Sequence, residues 1–285
     1  MTKKLKFLIT DSYARKDRDK FEKFGVTKAG NLYASLLLNN MADAQYDLIY
    51  TSDADARIPE GKELEIYDGI IWPGCNLTVY HDHDPRVVRL VNLSKSAYRY
   101  GIPQFGSCWA AQMAVYAAGG KVEPNPKGRE MGIARKIQLS EQGRKHSMYK
   151  GKPMVFDAFI SHDDIITEMP PGGTILSFND FSPVQAVEVK YLNGVFWATQ
   201  YHPEYTLQVI ARLILAREEK LIKQGYFKNH NELVNYSRNL ESIFNDTAQK
   251  NLRWQYSVDD DVLSDEIRQI EFVNWLTNLV IPIAN

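Results

Sequence analysis

The chain holds only two cysteines in 285 residues, Cys75 and Cys108. Two cannot build a disulfide framework, and a reducing cytoplasm is the expected setting. There is no apolar run long enough to cross a bilayer. Near the N-terminus, lysines lead into a four-residue apolar stretch that meets Asp11, too short for the core of a signal peptide. Charge of one sign is missing too: 34 Lys and Arg stand against 35 Asp and Glu, a net charge of −1. Bulk electrostatics therefore point neither to nucleic acid nor to an anionic membrane, and partners must be argued from local sites. No repeat or low-complexity tract is present. The glycine-bearing stretch 125–132 has the spacing of neither a Walker loop nor a dinucleotide fingerprint, so it cradles no phosphate and reads as a loop beside the site mouth.

What is present is enough chain for one large core. Short apolar strands are expected at 6–10, 47–51 and 69–72, alternating with helices at 31–41 and 85–100, the pattern of a largely parallel sheet covered on both faces. The charged run 11–28 reads as a solvated loop with some helix. His81-Asp82-His83-Asp84 lacks the i, i+4 spacing of a helical metal pair and reads as a polar loop entering the next helix, so no metal is assigned. Further strands are expected at 133–139, 154–160 and 173–178, with 183–189 half-buried by its period of two, and at 194–200. From 206 one helix should run to about 224 and stop at Gly225. Helices at 231–251 and 265–279 would follow, joined by the acidic turn 259–261, with Trp254 and Trp275 in the core. The expected division is an α/β domain over 1–224 and a helical extension over 225–285 packed on it.

The chain is organised around residues 102–112, an apolar strand running into Gly106-Ser107-Cys108 and then a helix from Trp109. Strand, sharp small-residue turn and helix form a nucleophile elbow, which lifts one side chain clear of the sheet. The helix N-terminus would face the Cys108 sulfur with free N–H groups and a positive dipole end, a setting that favours thiolate. A cysteine nucleophile needs a base, and the base needs an orienting acceptor. His202 and Glu204, in Tyr201-His202-Pro203-Glu204 after the last strand, supply both types within three residues.

These residues resemble the class I glutamine amidotransferases, and the amidotransferase half of GMP synthase most closely. The family's Gly-x-Cys-x-Gly-x-Gln elbow stands here as Gly106 to Gln112, with Ala110 for the second glycine, and its His-Pro-Glu is intact at 202–204. Its Gly-Gly-Pro turn is matched more loosely by Pro73-Gly74-Cys75-Asn76, and its Ser-His-x-Asp by Ser161-His162-Asp163-Asp164. Four motifs in colinear order make the likeness specific over roughly residues 5 to 222.

The resemblance implies a flavodoxin-like α/β fold, no cofactor, and a substrate that is L-glutamine or another γ-glutamyl compound. Cys108 would attack the side-chain amide carbon. His202, held by Glu204, would protonate the leaving ammonia, and water would release glutamate from the thioester. Backbone N–H groups of Trp109 and of the Gly74-Cys75 turn would form the oxyanion hole. Gln112, Ser161, His162 and Asp163 would hold the substrate. The ammonia acceptor is not specified by the sequence. A separate synthetase subunit is the leading reading; the alternative is a free-standing γ-glutamyl hydrolase, which needs no acceptor, and an intact Cys108, His202 and Glu204 speaks against a non-catalytic module on the same fold.

Overall fold

The computed structural model describes residues 3–284. Its strands in chain order are β1 (Lys6–Asp11), β2 (Gln45–Tyr50), β3 (Gly69–Trp72), β4 (Gln104–Ser107), β5 (Lys121–Pro124), β6 (Glu130–Leu139), β7 (Val155–His162), β8 (Asp164–Glu168), β9 (Gly173–Phe178), β10 (Ala186–Tyr191) and β11 (Gly194–Thr199). Nine of them form one sheet in the order β2-β1-β3-β4-β11-β10-β9-β6-β7, and β5 pairs with β8 beside it. From β2 to β11 neighbours run parallel; from β11 to β7 they run antiparallel. The α/β sheet flanked by helices is as expected, parallel from β2 to β11 with an antiparallel extension to β7, and its parallel part carries the strand ends that matter.

Register decides where those ends fall. Trp72 pairs with Gly106, and Ser107 with Thr199, so β3, β4 and β11 stop at the same level. The turns after them, at 73–76, 108 and 200–204, therefore emerge side by side at the carboxyl edge, where open α/β sheets place their ligands.

The parallel strands are covered on both faces, so their residues alternate between two cores. Leu8, Ile70 and Trp72 lie with Leu90 and Ala114, from the helices Pro85–Arg99 and Trp109–Ala117. Phe7, Ile9, Ile71 and Phe105 lie on the other side with Tyr33 and Leu37 of the helix Ala29–Asn40 and with Phe272, Trp275 and Leu276 near the C-terminus. The C-terminal segment thereby supplies part of the sheet's own cover. It is also tied in by buried polar groups: Lys152 Nζ meets Glu271 Oε1 at 2.9 Å, Tyr201 Oη donates to the same oxygen at 2.6 Å, and Tyr149 joins Tyr201 and Ser177 through its hydroxyl at 2.8 Å each. A third core links the helix Leu207–Ala216 to the helix His230–Asn245 through Ile210, Ile214, Leu233 and Leu240.

Several expectations are corrected. Ala186 to Val189 are all buried, because β10 lies between β9 and β11 with both faces covered, and a period of two does not describe it. The 11–28 run holds the expected helix, Arg15–Lys23, but is not wholly solvated: its Arg18 is buried, 2.7 Å from Asp53 with its guanidinium 4.1 Å from the Tyr50 ring centre. The helix expected to reach 224 breaks at Arg217 into Leu207–Ala216 and Glu218–Lys223. The helix expected over 231–251 is two, His230–Asn245 and Lys250–Tyr256, and the acidic turn opens the short helix Asp260–Leu263. Trp254 is 80% exposed, since its helix buries no residue, whereas Trp275 is fully buried.

Candidate active site

Cys108 stands between β4 and the helix Trp109–Ala117 with φ 57° and ψ −109°, a conformation that costs a non-glycine residue about 1–3 kcal/mol. Its N–H donates to the Thr199 carbonyl at 2.7 Å, which pins the elbow to the end of β11. Gly106 makes the turn possible: a Cβ there would lie 2.4 Å from the Trp72 carbonyl oxygen and 2.5 Å from the Ala110 methyl. The alanine at 110 is accommodated because residue 106 has no side chain.

His202 is anchored by its own N–H, which donates to the Phe159 carbonyl at 2.8 Å. Its Nδ1 meets Glu204 Oε1 at 2.7 Å, and that oxygen also accepts from Ser107 Oγ at 2.9 Å. The Tyr205 ring stacks on the imidazole with centres 3.9 Å apart and planes 4° apart. Tautomer, ring plane and ring position are fixed together, leaving Nε2 for chemistry. Burial by itself would lower the His202 pKa, but the Glu204 carboxylate and the neighbouring Cys108 outweigh it and push the group up to about 9. Gly74 shows how near sulfur and ring are: a single added methyl would sit 2.9 Å from His202 Cε1 and 3.0 Å from Cys108 Cβ.

Cys108 and His202 open into a cleft of about 350 Å³ lined by Cys75, Trp109, Gln112, Ser161, His162 and Asp163, among others. Among the described residues, the N–H groups of Gly74, Cys75 and Trp109 donate to no protein acceptor. Cys75 is buried, and that burial holds its thiol well above the ordinary range. Gln112 uses its amide nitrogen on the Asp164 carbonyl at 3.1 Å and on Gln200 Oε1 at 3.3 Å. The Ser161 carbonyl lies 3.4 Å from Cys108 Sγ. His162 lines the cleft, but both its ring nitrogens are engaged, Nε2 with Glu130 at 3.0 Å and Nδ1 with the Asp164 carbonyl at 2.7 Å, leaving neither for a ligand. At the His81 to Asp84 loop, Asp84 caps the next helix through the Arg86 N–H. No group of three or more His, Cys, Asp or Glu among the described residues is arranged to hold a metal ion.

The family pattern described as glutamine amidotransferase class-I matches residues 29–224. The chain belongs to the class I glutamine amidotransferases. A relative named γ-glutamyl-L-1-hydroxyisopropylamide hydrolase, from a Pseudomonas species, is 32% identical over 99% of this chain and 95% of its own length. A GMP synthase of Thermomicrobium roseum is 30% identical over 68% of this chain but only 34% of that protein. The fold is shared with a crystal structure titled a glutamine amidotransferase, from Thermotoga maritima, at a TM-score of 0.69 and 17% identity over 98% and 99% of the two chains.

Around this amidotransferase elbow stand groups that sequence reasoning did not find. Ser107 and Tyr205, described above, flank the predicted residues directly, and simple adjacency to Cys108 and Glu204 could have flagged both. Arg129 and Arg217 carry no such signal. Both donate to Ser161 Oγ, at 2.8 and 2.7 Å, and Arg217 also donates to Tyr13 Oη at 3.2 Å. Arg129 and Lys220 both reach Asp163. Burial would raise that carboxyl, but these two cations bring it below its usual range.

Proposed function

We propose that the protein hydrolyses the side-chain amide of L-γ-glutamyl compounds, with Cys108, His202 and Glu204 as nucleophile, acid–base and orienting acceptor. Cys108 sulfur bonds to the amide carbon, and the carbon–nitrogen bond breaks as His202 gives its proton to the departing amine or ammonia. Water, deprotonated by His202, then attacks the thioester and frees glutamate and the thiol. The negative charge that develops on the amide oxygen is met by the undonated N–H groups of Trp109 and the Gly74-Cys75 turn, each worth around a hundredfold or more in rate.

The observation that carries this reading is the convergence of the three strand ends, with Gly74 close enough to touch both Cys108 and His202. The end-to-end likeness to a hydrolase of a γ-glutamyl amide favours an enzyme that needs no ammonia acceptor. A second reading, glutaminase subunit of a separate synthetase, is favoured by the GMP synthase relatives, whose length extends far beyond this chain.

The deciding experiment treats the protein with an electrophilic glutamine analogue and reads the mass shift, together with ammonia or amine release. A single adduct on Cys108, and turnover lost in Cys108→Ala, are expected; turnover surviving that change overturns the mechanism. A kcat/KM for γ-glutamyl alkylamides above that for glutamine is expected for the hydrolase. Turnover appearing only after a second protein is added would favour the subunit reading.

A further inference from the structure

The break at Arg217 has no local cause in the sequence. Neither glycine nor proline is near it, and the residues on both sides are good helix formers. The helix Leu207–Ala216 ends and Glu218–Lys223 begins at the same residue, whose side chain lines the cleft beside Cys108. Arg217 is half-buried, and its guanidinium lies 5.6 Å from the Phe21 ring centre. Its hydrogen-bond partners are neutral, Ser161 Oγ and Tyr13 Oη. Among the described residues no carboxylate pairs with it; Asp163, which lines the same cleft, is paired with Arg129 and Lys220. A guanidinium drawn from water without an anion is costly unless an anion arrives.

Spacing indicates which anion. The Ser161 carbonyl is 3.4 Å from the Cys108 sulfur, and the hydroxyl of the same residue holds Arg217 at 2.7 Å, so one residue separates the sulfur from the guanidinium. In a γ-glutamyl amide the α-carbon is three bonds from the carbon under attack, a comparable reach, and the α-carboxylate hangs from it. A planar guanidinium fork matches a carboxylate in two parallel hydrogen bonds. Ser161 Oγ can release Arg217 and still keep Arg129. We propose that Arg217 binds the α-carboxylate of the substrate and so restricts the cleft to amides that carry a free α-carboxylate. This assignment rests on Cys108 being the point of attack.

The test uses the full chain carrying Cys108→Ala, so that nothing turns over, and titrates it with L-glutamate and with 4-aminobutanoate, which lacks only the α-carboxylate. Adding R217Q should weaken L-glutamate binding about tenfold to a hundredfold, the range for a charge-assisted pair, and leave 4-aminobutanoate unchanged. R217K, which keeps the charge and loses the fork, should fall between. Equal loss for both ligands, or no loss for either, overturns the proposal. If R217Q lowers the melting temperature sharply, R217K alone decides, by whether it discriminates the two ligands. Labelling of the unmodified Cys108 by the electrophilic analogue is scored separately, so failure of the nucleophile and failure of the carboxylate site give different results.

Discussion

Gly74→Ala is the sharpest perturbation available at this site. The substitution adds one methyl, and Gly74 is not among the residues with positive φ, so alanine meets no backbone penalty there. The methyl would lie 2.9 Å from His202 Cε1, nearer than real Cβ contacts come, and 3.0 Å from Cys108 Cβ, tighter than nine in ten of them. Neither neighbour yields easily. The imidazole is held by Glu204 and by the Tyr205 ring, and the Cys108 N–H is fixed to the Thr199 carbonyl. Relief must come from the turn backing away, which carries the Gly74 and Cys75 N–H groups off the proposed oxyanion position, or from sulfur and ring parting. Either displacement is worth about a hundredfold to a thousandfold in rate. Overpacking by one methyl costs only about 1–3 kcal/mol, so the fold should survive. Steady-state kcat/KM for a γ-glutamyl amide, read beside the melting temperature, checks this. A folded Gly74→Ala enzyme within threefold of the parent would refute the claim that this turn abuts the reacting pair.

Other consequences are as direct. Ser107→Ala removes one of two donors on Glu204 Oε1 and should cost about 0.5–1.5 kcal/mol of transition-state stabilisation, seen as a tenfold or smaller fall in kcat/KM. Because the His202 pKa rises on folding from about 6.5 to about 9, its contribution to stability is full below pH 6.5 and fades as pH climbs through 9; melting temperatures of the parent and of Glu204→Gln across pH 6–10 should converge at the alkaline end. Proton delivery to the leaving amine should weaken over the same upper limb. Lys152→Met should cost about 3–5 kcal/mol by stranding Glu271, which is fully buried, and Lys152→Met with Glu271→Leu should recover much of it in denaturant titrations. Trp254→Ala should change stability by no more than about 0.5 kcal/mol, since the side chain is exposed.

The parts of this fold that sequence could reveal are those written in short contiguous code. The strand Gly69–Trp72 is a closed apolar run between charged and turn residues, and the helix Pro85–Arg99 begins with an Asp cap and Pro at its first position. The elbow and the His-Pro-Glu turn are readable because strained turns admit few residue types. What escaped depends on residues far apart in the chain. The burial of β10 comes from cores on both faces of the sheet, and the partners of Arg217 at the helix break, Ser161 and Tyr13, are 56 and 204 positions away. Trp254 misled because an aromatic ring is no guide to burial when its helix faces water. The two jobs of Glu204 Oε1, one from His202 and one from Ser107, could be foreseen only once Ser107 and Thr199 were known to be in register.

Tyr201 gives the far end of the chain a say at the reactive end. Its hydroxyl is grasped from behind by Glu271, while its backbone continues directly into His202. A stop ahead of residue 265 would strip Phe272 and Trp275 from Phe7 and Phe105 and leave the Lys152 ammonium without its carboxylate. Shortening this protein to the span of its family pattern should therefore yield a chain that keeps every group proposed to react and lacks a firm platform on which to hold them.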